Sequence, residues 1–372
     1  MFIPIYWSGC LLRKGMIFII LVSIVSMSFF GIRFMENKET IDMKEELAAE
    51  QFIKKHLYEE NGLIKTDLKG QSNVYLAETT GLWMEYLVKK DDYLEFKKQA
   101  KVLKLFKEDS QLISWKIDGN RKAPANALID DLRIIQALEE ASDRWGIPKY
   151  RKMARQMGKD IVRYNMENDY FIDHADIKTK HKADFITLSY LNPKAIHFFL
   201  EEELIDESQY LLNREVLVNA PVSKNGFFPI TYYPSRNEYE FEREVNLINQ
   251  YYIGYYRALW GGDVSSLIRF TKESLEKYGG VLYGRFSSET KEPAVEYEGA
   301  SVYALAILMC LQAGEDDLAR QLFYKMKELQ VLDASAEYYG GYINLDSLET
   351  HTFDNLLPLI AEREAIDEGV FY

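Results

Sequence analysis

The chain has 372 residues, 47% of them hydrophobic, and its 45 basic and 58 acidic side chains give a formal net charge of −13. This composition excludes a disordered chain and a protein with many membrane spans. The acidic balance and the lack of a long basic run also exclude a general nucleic-acid-binding surface, because such a surface needs clustered Lys and Arg.

An uncharged apolar run covers residues 16–32, and Arg13 and Lys14 precede it. A run of this length can span a bilayer, and the preceding charges favour a cytoplasmic N-terminus. No small-x-small cleavage site follows, so an uncleaved signal-anchor is favoured over a removed signal peptide. The prediction is a cytoplasmic segment at 1–15, a transmembrane signal-anchor at 16–32, a linker at 33–44 and an extracytoplasmic domain at 45–372.

The rest of the chain is predicted to consist of consecutive helices, which form pairs of one inner and one outer helix. Residues 302–311 are apolar on every side, which predicts a helix surrounded by protein, whereas Leu318, Leu322 and Met326 give the next helix a single apolar stripe. Similar patterns predict the pairs 76–87 with 93–106, a helix from about Asp130 with 149–164, and 247–259 with 265–278.

About six such hairpins fit an all-α fold, the (α/α)6 barrel, in which six inner helices are wrapped by six outer ones. An open solenoid of helical hairpins is the alternative, but solenoids repeat at a fixed period. Here the connections are unequal, and the long ones at 172–189 and 219–244 would build a cleft at one end of a barrel.

Aromatic residues make up 14% of the chain, including 26 Tyr, and many fall in predicted loops. Flat rings with a polar edge suit the apolar faces of sugars. Trp115 and Tyr190 are candidates for stacking on sugar rings, although most individual tyrosines belong in a core.

Cleavage of a glycosidic bond requires a carboxylic acid at the leaving oxygen and a second carboxylate. Glu78 is the candidate acid, because a loop enters an apolar inner helix there. The structural alternative is a first-turn Glu that complements the helix dipole. A catalytic Glu78 therefore needs burial or a second carboxylate to raise its pKa, and Asp130 and Asp131, at the start of another inner helix, either supply that neighbour or cap the helix.

Four ordered segments carry a family resemblance. Residues 75–82 (YLAETTGL) resemble the Ser-Glu-Gly-Gln-Gly-Tyr-Gly segment of glycoside hydrolase family 8, and residues 127–134 (ALIDDLRI) resemble its Ala-Thr-Asp-Gly-Asp-Leu-Asp-Ile segment. Residues 188–193 (LSYLNP) are similar to its Pro-Ser-Tyr-Phe segment, and Trp115 falls where the family has a sugar-stacking Trp. The resemblance implies an (α/α)6 barrel that hydrolyses β-linked polysaccharides with inversion, with Glu78 as acid and aspartates that hold the sugar. Some members accompany exopolysaccharide synthesis machinery at the bacterial surface.

The chain departs from the family at the catalytic base, because Asn249 stands where many members have Asp. The upstream run Glu238, Glu240, Glu242 and Glu244 supplies replacement carboxylates; Glu244 is preferred, with Asn249 orienting the water. For any single member of this run, a solvated strand edge is the favoured interpretation. Ile129 also replaces the first Asp of the family's aspartate segment.

The sequence therefore predicts a membrane-anchored glycosidase that acts on an extracellular polysaccharide without a cofactor or metal. Glu78 and Glu244 are the predicted catalytic residues, and substrate is bound by the residues Asp131, Asp130, Trp115, Tyr190 and Asn249. The alternative is a catalytically inactive, glycan-binding (α/α)6 barrel, because an amide at position 249 cannot take a proton from water.

Overall fold

The computed structural model describes residues 45–370 except 72, 108, 109, 111 and 177. The predicted cytoplasmic segment, signal-anchor and linker lie outside this range. Within the described range, no helix is both long and apolar enough to cross a bilayer.

Twelve α-helices account for about half of the described residues. Six of them form the inner layer: α2 (Ala77–Lys89), α4 (Leu128–Trp145), α6 (Pro193–Glu201), α8 (Leu247–Leu259), α10 (Ala300–Gln312) and α12 (Phe353–Asp367). The outer layer consists of α1 (Ala48–Phe52, continued by a π-helical turn at Ile53–Leu57), α3 (Tyr93–Phe106), α5 (Pro148–Tyr164), α7 (Glu207–Val218), α9 (Ser265–Lys277) and α11 (Asp316–Glu328).

The residue pattern of each layer explains its place. In α10, every residue from Ala300 to Cys310 is buried, which is possible only for a helix with protein on all sides. In α11, only Leu318, Ala319, Leu322 and Met326 are buried, and the remaining face is polar. The apolar run and the single stripe predicted an inner helix followed by an outer one, and both are confirmed.

The inner helices close into a ring. Helix α2 packs on α4, α4 on α6, α8 on α10 and α10 on α12, while a 3₁₀ turn at Leu188–Tyr190 contacts α8. Helix α12 returns to pack on both α2 and α1. Contact between the last and the first inner helix excludes an open solenoid.

Within the described residues, ten short strands lie in the connections between helices. They are β1 (Val74–Leu76), β2 (Lys116–Asp118), β3 (Arg121–Lys122), β4 (Met166–Glu167), β5 (Tyr170–Phe171), β6 (Ile186–Thr187), β7 (Thr231–Tyr233), β8 (Glu238–Glu240), β9 (Glu244–Asn246) and β10 (Arg285–Ser287). They pair as the antiparallel sheets β1-β2-β3, β4-β5, β6-β7-β8 and β9-β10.

Several strands lead directly into inner helices: β1 into α2, β6 through the 3₁₀ turn into α6, and β9 into α8. The sheets therefore line the end of the barrel at which the inner helices begin. We call this end the mouth, and every candidate site residue belongs to it or to its loops.

Candidate active site

Glu78 is the second residue of α2 and is half-buried at the mouth. Burial raises the pKa of its carboxyl group above the ordinary value. The charges of Arg133 and His351 oppose this rise, whereas that of Asp354 adds to it. The local environment therefore favours the protonated form, which a general acid requires.

The adjacent residues Asp130 and Asp131 have different surroundings. Asp130 is 5% exposed, and its Oδ1 lies 3.3 Å from Nη1 of Arg133. Burial, followed by the charge of Glu78, raises the pKa of Asp130. The charge of Glu78 thus acts on Asp130, and the predicted rise of the Glu78 pKa through Asp130 or Asp131 stays a prediction, because the causes of that rise are burial and Asp354.

Asp131 is fully buried, and its two carboxylate oxygens accept hydrogen bonds from protein groups. Oδ1 accepts from the backbone N–H of Ile113 at 3.0 Å, and Oδ2 accepts from the side-chain amide of Asn126 at 2.7 Å. This environment fits the anchoring of the preceding loop to α4. The predicted contact of Asp131 with a sugar stays a prediction, and the geometry favours Asp130 for it.

Trp115 and Tyr190 both lie at the mouth. Trp115 immediately precedes β2, is 40% exposed, and accepts a hydrogen bond from the backbone N–H of Ala77, the residue before Glu78. Tyr190 ends the 3₁₀ turn and is half-buried; burial, then the charges of Asp173, Asp130 and Glu78, raise the pKa of its phenol. The charges of these carboxyl groups therefore act on Tyr190, whereas Trp115 is connected to the start of α2 through its backbone carbonyl.

The carboxylates of the acidic run before α8 lie in different environments. Glu244 is exposed on β9 and lies 3.2 Å from Nη1 of Arg285 in an ion pair on the barrel surface. Glu242 is half-buried, accepts a hydrogen bond from the backbone N–H of Asn246, and has a pKa raised by burial. Asn249 is half-buried in the first turn of α8. Within this run, Glu242 is the residue held closest to the start of an inner helix.

The mouth also contains residues that the sequence analysis did not select. Arg133, His351 and Asp354 all act electrostatically on Glu78. His351, Asp354 and Glu298 line a cleft of about 330 Å³ between the starts of α10 and α12. Ser301 donates a hydrogen bond to Asp354, and Tyr303 donates one to Glu298. The prediction of six inner helices could have pointed to them, since each occupies or adjoins the start of an inner helix.

Comparison with known proteins identifies a relative that matches most of this chain. The protein named "Putative lipoprotein YdaJ" from Bacillus subtilis (strain 168) is 40% identical over 324 residues, which cover 87% of this chain and 88% of the relative. The chain belongs to the YdaJ family. No family model matches the chain.

Solved structures agree on the architecture. A structure described as a novel alpha-amylase from Clostridium perfringens aligns with a TM-score of 0.80 at 24% identity, over 87% of this chain and 97% of that one. PssZ from Listeria monocytogenes aligns with a TM-score of 0.70 at 27% identity, over 84% of this chain and 93% of PssZ. Endoglucanase Cel10 from Klebsiella pneumoniae, a family 8 glycosyl hydrolase, aligns with a TM-score of 0.60 at 15% identity, over 86% of this chain and 99% of Cel10.

These alignments confirm the resemblance to glycoside hydrolase family 8 as a divergent one. They also support the helical barrel, since the aligned regions extend over most of this chain and nearly all of each solved structure.

Proposed function

We propose that this protein is a glycoside hydrolase that cleaves β-linked bonds of an extracellular or cell-surface polysaccharide by inversion. The observation that carries the proposal is Glu78, a carboxyl group with a raised pKa at the mouth of the barrel, where Tyr190 and the exposed Trp115 also lie. A raised pKa increases the protonated fraction of a carboxylic acid at a given pH, and the protonated form is the one needed to protonate a leaving oxygen.

In the proposed reaction, Glu78 donates its proton to the glycosidic oxygen as the bond to the anomeric carbon breaks. A carboxylate on the opposite side takes a proton from a water molecule, and that water forms the new bond to the anomeric carbon. Inversion needs the two carboxyl groups about 6.5–9.5 Å apart, so that the water fits between them.

The base is proposed to come from the acidic run before α8, because α8 lies three inner helices from α2 in the ring. Glu242 is preferred over the sequence-based choice Glu244, since Glu244 is exposed and paired with Arg285. Asn249, in the first turn of α8, would orient the attacking water through its amide. Asp130 would contact the sugar at the cleavage point.

The proposed location is the outer face of the cell membrane. An uncharged run at residues 16–32 after Arg13 and Lys14 supports an N-terminal anchor, and the name of the relative YdaJ as a putative lipoprotein is compatible with attachment to a membrane. Exopolysaccharide synthesis machinery is the proposed partner, on the family resemblance alone.

A catalytically inactive glycan-binding barrel is the second candidate, and the amide of Asn249 favours it. Incubation with a panel of polysaccharides separates the hydrolase from the glycan-binding barrel. The panel contains cellulose, mixed-linked glucan, xylan, chitosans of graded acetylation, starch and purified bacterial exopolysaccharides. New reducing ends with wild type and none with Glu78→Gln support hydrolysis, whereas retention of polymer without new ends supports binding.

Glu207→Gln is the matched control, since Glu207 is an exposed carboxylate in the first turn of the outer helix α7. It should leave hydrolysis unchanged. NMR of the first product formed then reports the anomeric configuration, and a retained configuration would contradict the inverting mechanism. Products from starch alone would contradict the β-linkage.

A further inference from the structure

Two outer helices, α3 and α5, concentrate positive charge on the outside of the barrel. Together they contain ten basic and two acidic residues, whereas the other four outer helices, with the π-helical turn of α1 included, contain nine basic and eight acidic residues. The whole chain has 45 basic and 58 acidic residues, so α3 and α5 reverse its overall balance. Residues 107–147 separate the two helices, so the fold rather than a basic run brings these charges together.

The two helices are neighbours, and their charged side chains face solvent. The ring centroids of Phe96 on α3 and Tyr150 on α5 lie 5.1 Å apart. On each helix, the exposed basic residues recur at spacings of three, four or seven positions, which place them on one face. We call this surface the basic face, and it consists of Lys97, Lys101, Lys104, Lys149, Lys152, Lys159 and Arg163.

The charge of the basic face is not neutralised by nearby carboxylates. Within the described part of the chain, no ion pair joins any of its seven side chains to Asp or Glu. Other basic residues of the same helices are paired: Lys98 with Glu95 at 2.8 Å, and Arg151 with Glu202 at 2.6 Å. Exposed basic side chains without such partners attract an external anionic surface.

Two exposed leucines adjoin the lysines of α3. Leu94 is 71% exposed and Leu105 is 42% exposed. Leu94 lies three positions before Lys97, and Leu105 lies four positions after Lys101, so both leucines border the same stripe. The combination fits a bilayer surface, where Lys side chains reach anionic headgroups and apolar side chains enter the boundary with the acyl chains. A soluble polyanion would leave the leucines in water.

The basic face also lies beside the helix that follows the predicted anchor. The side-chain amide of Gln99 on α3 donates a hydrogen bond of 2.7 Å to the hydroxyl of Tyr58, which directly follows the π-helical turn of α1. Residues 33–47 connect the apolar run with α1 and extend over at most about 50 Å. An anchor at residues 16–32 therefore permits the side of the barrel to reach the same bilayer.

We propose that the basic face docks on anionic lipid headgroups at the outer surface of the membrane. The inference rests on the proposed membrane location and is independent of the proposed hydrolysis. The helices run along the axis of the barrel, so a bilayer against α3 and α5 holds that axis parallel to the membrane. The mouth then opens along the membrane surface, where it meets polysaccharide that leaves the cell.

Lysine labelling of the full chain tests the docking. The chain is reconstituted into vesicles of phosphatidylcholine, or of equal parts of phosphatidylcholine and phosphatidylglycerol, and treated with a membrane-impermeant amine reagent. Mass spectrometry then gives the labelling rate at each lysine. Phosphatidylglycerol should slow labelling of the six lysines of the basic face by at least about threefold, because basic residues near an anionic surface bind it cooperatively. At 1 M salt the rates should recover, since the Debye length is then about 3 Å.

Lys272 and Lys277 are internal controls for this measurement. They are exposed on α9, three positions further around the outer layer from α3, and should keep their rates in both kinds of vesicle. The test variant replaces three lysines of the basic face: Lys97→Gln, Lys101→Gln and Lys104→Gln. It should reduce the protection of the lysines on α5. The matched control removes the same charge from exposed positions of α9 and should leave that protection unchanged: Arg269→Gln, Lys272→Gln and Lys277→Gln.

The outcomes separate the docking from the anchor. Equal labelling rates in the two kinds of vesicle, in a chain that floats with both, would overturn the docking and leave the proposed anchor intact. Failure of the chain to float with either vesicle would contradict the anchor and the docking together. Protection by soluble polygalacturonate and none by phosphatidylglycerol vesicles would assign the basic face to an anionic polymer and overturn the inference. The polysaccharide panel tests hydrolysis separately from all of these results.

Discussion

At the scale of single residues, the neighbours Asp130 and Asp131 on α4 have different surroundings. Successive residues of a helix point about 100° apart, so Asp130 lies beside Glu78 and Arg133 while Asp131 is enclosed by Ile113 and Asn126. The sequence analysis placed both at a helix start but could not assign their directions. The start of α4 at Leu128, rather than near Asp130, decides which carboxylate faces the mouth.

Glu78→Gln should remove activity and increase stability at neutral pH. General acid catalysis contributes about 10²- to 10⁴-fold, so kcat should fall within that range. The raised pKa means that the folded state binds more protons than the unfolded state, so stability falls as pH rises from the ordinary value of 4.5 through the folded pKa. Thermal unfolding should show a higher Tm for the variant at pH 8 and no gain at pH 4; equal Tm values at pH 8 would contradict this account.

Asp131→Ala should destabilise the fold without a specific loss of substrate affinity. Removing the carboxylate leaves the buried N–H of Ile113 and one of the two N–H groups of the Asn126 amide without an acceptor, at about 1–3 kcal/mol each. Burial raises the pKa of Asp131 to about 7, so the contribution of this carboxyl group to stability falls as the pH rises from the ordinary value of 3.8 towards 7. Urea unfolding should therefore show a larger loss for Asp131→Ala at pH 5.5 than at pH 8.

The control for Asp131→Ala is Asp206→Ala, which removes the exposed N-cap of α7 and should lower the free energy of unfolding by about 1 kcal/mol. A similar small loss for Asp131→Ala, together with a raised KM on an active substrate, would favour the predicted sugar contact over the anchoring role.

At the scale of elements, hydrophobic periodicity predicted most of the helices. Tyr93–Phe106 and Leu247–Leu259 have the predicted bounds, and the predicted helix at 302–311 extends by about a turn in total to Ala300–Gln312. Periodicity succeeds here because an inner helix must be apolar on all sides and an outer helix on one. Residues 227–233 showed strand-like alternation, but only Thr231–Tyr233 forms a strand.

Sequence patterns did not predict which distant residues share the mouth. His351 and Asp354 are more than 270 positions from Glu78 and reach it only because α12 closes the ring next to α2. A lone His in a loop has no periodicity or ligand spacing to mark it. The acid was predictable from its local segment, whereas its electrostatic neighbours depend on the order of helices around the barrel.

Gly340 holds the first helix in place, and Gly340→Ala should disrupt this contact. Its φ is +84°, and an added Cβ would lie 1.9 Å from the carbonyl oxygen of Ala48 at the start of α1. Backbone strain together with this overlap should cost at least about 2 kcal/mol. Gly279→Ala is the control, since φ is +64° there and nothing lies within 4 Å of its Cβ, so about 1 kcal/mol is expected. Equal unfolding midpoints in urea would show that the contact with α1 does not contribute.

At the scale of the whole molecule, ring closure ties the two ends of the described chain together. The described residues form one compact unit, and α12 contacts α1, α2 and α10. An open array of hairpins would transmit a defect only to its sequence neighbours. In a closed ring, a defect in the last inner helix reaches the first one directly.

Leu359→Ala tests this difference, because Leu359 is fully buried in α12. The cavity should cost about 2–5 kcal/mol. Native-state hydrogen exchange should then show faster exchange in α2 and α1 as well as in α10 and α12, since α12 packs on all of them. Leu211→Ala, at a position 41% exposed on α7, should leave exchange unchanged. Faster exchange confined to α10, α11 and α12, with α2 at its wild-type rates, would mean that the contact of α12 with α1 and α2 contributes little to the cooperativity of the barrel.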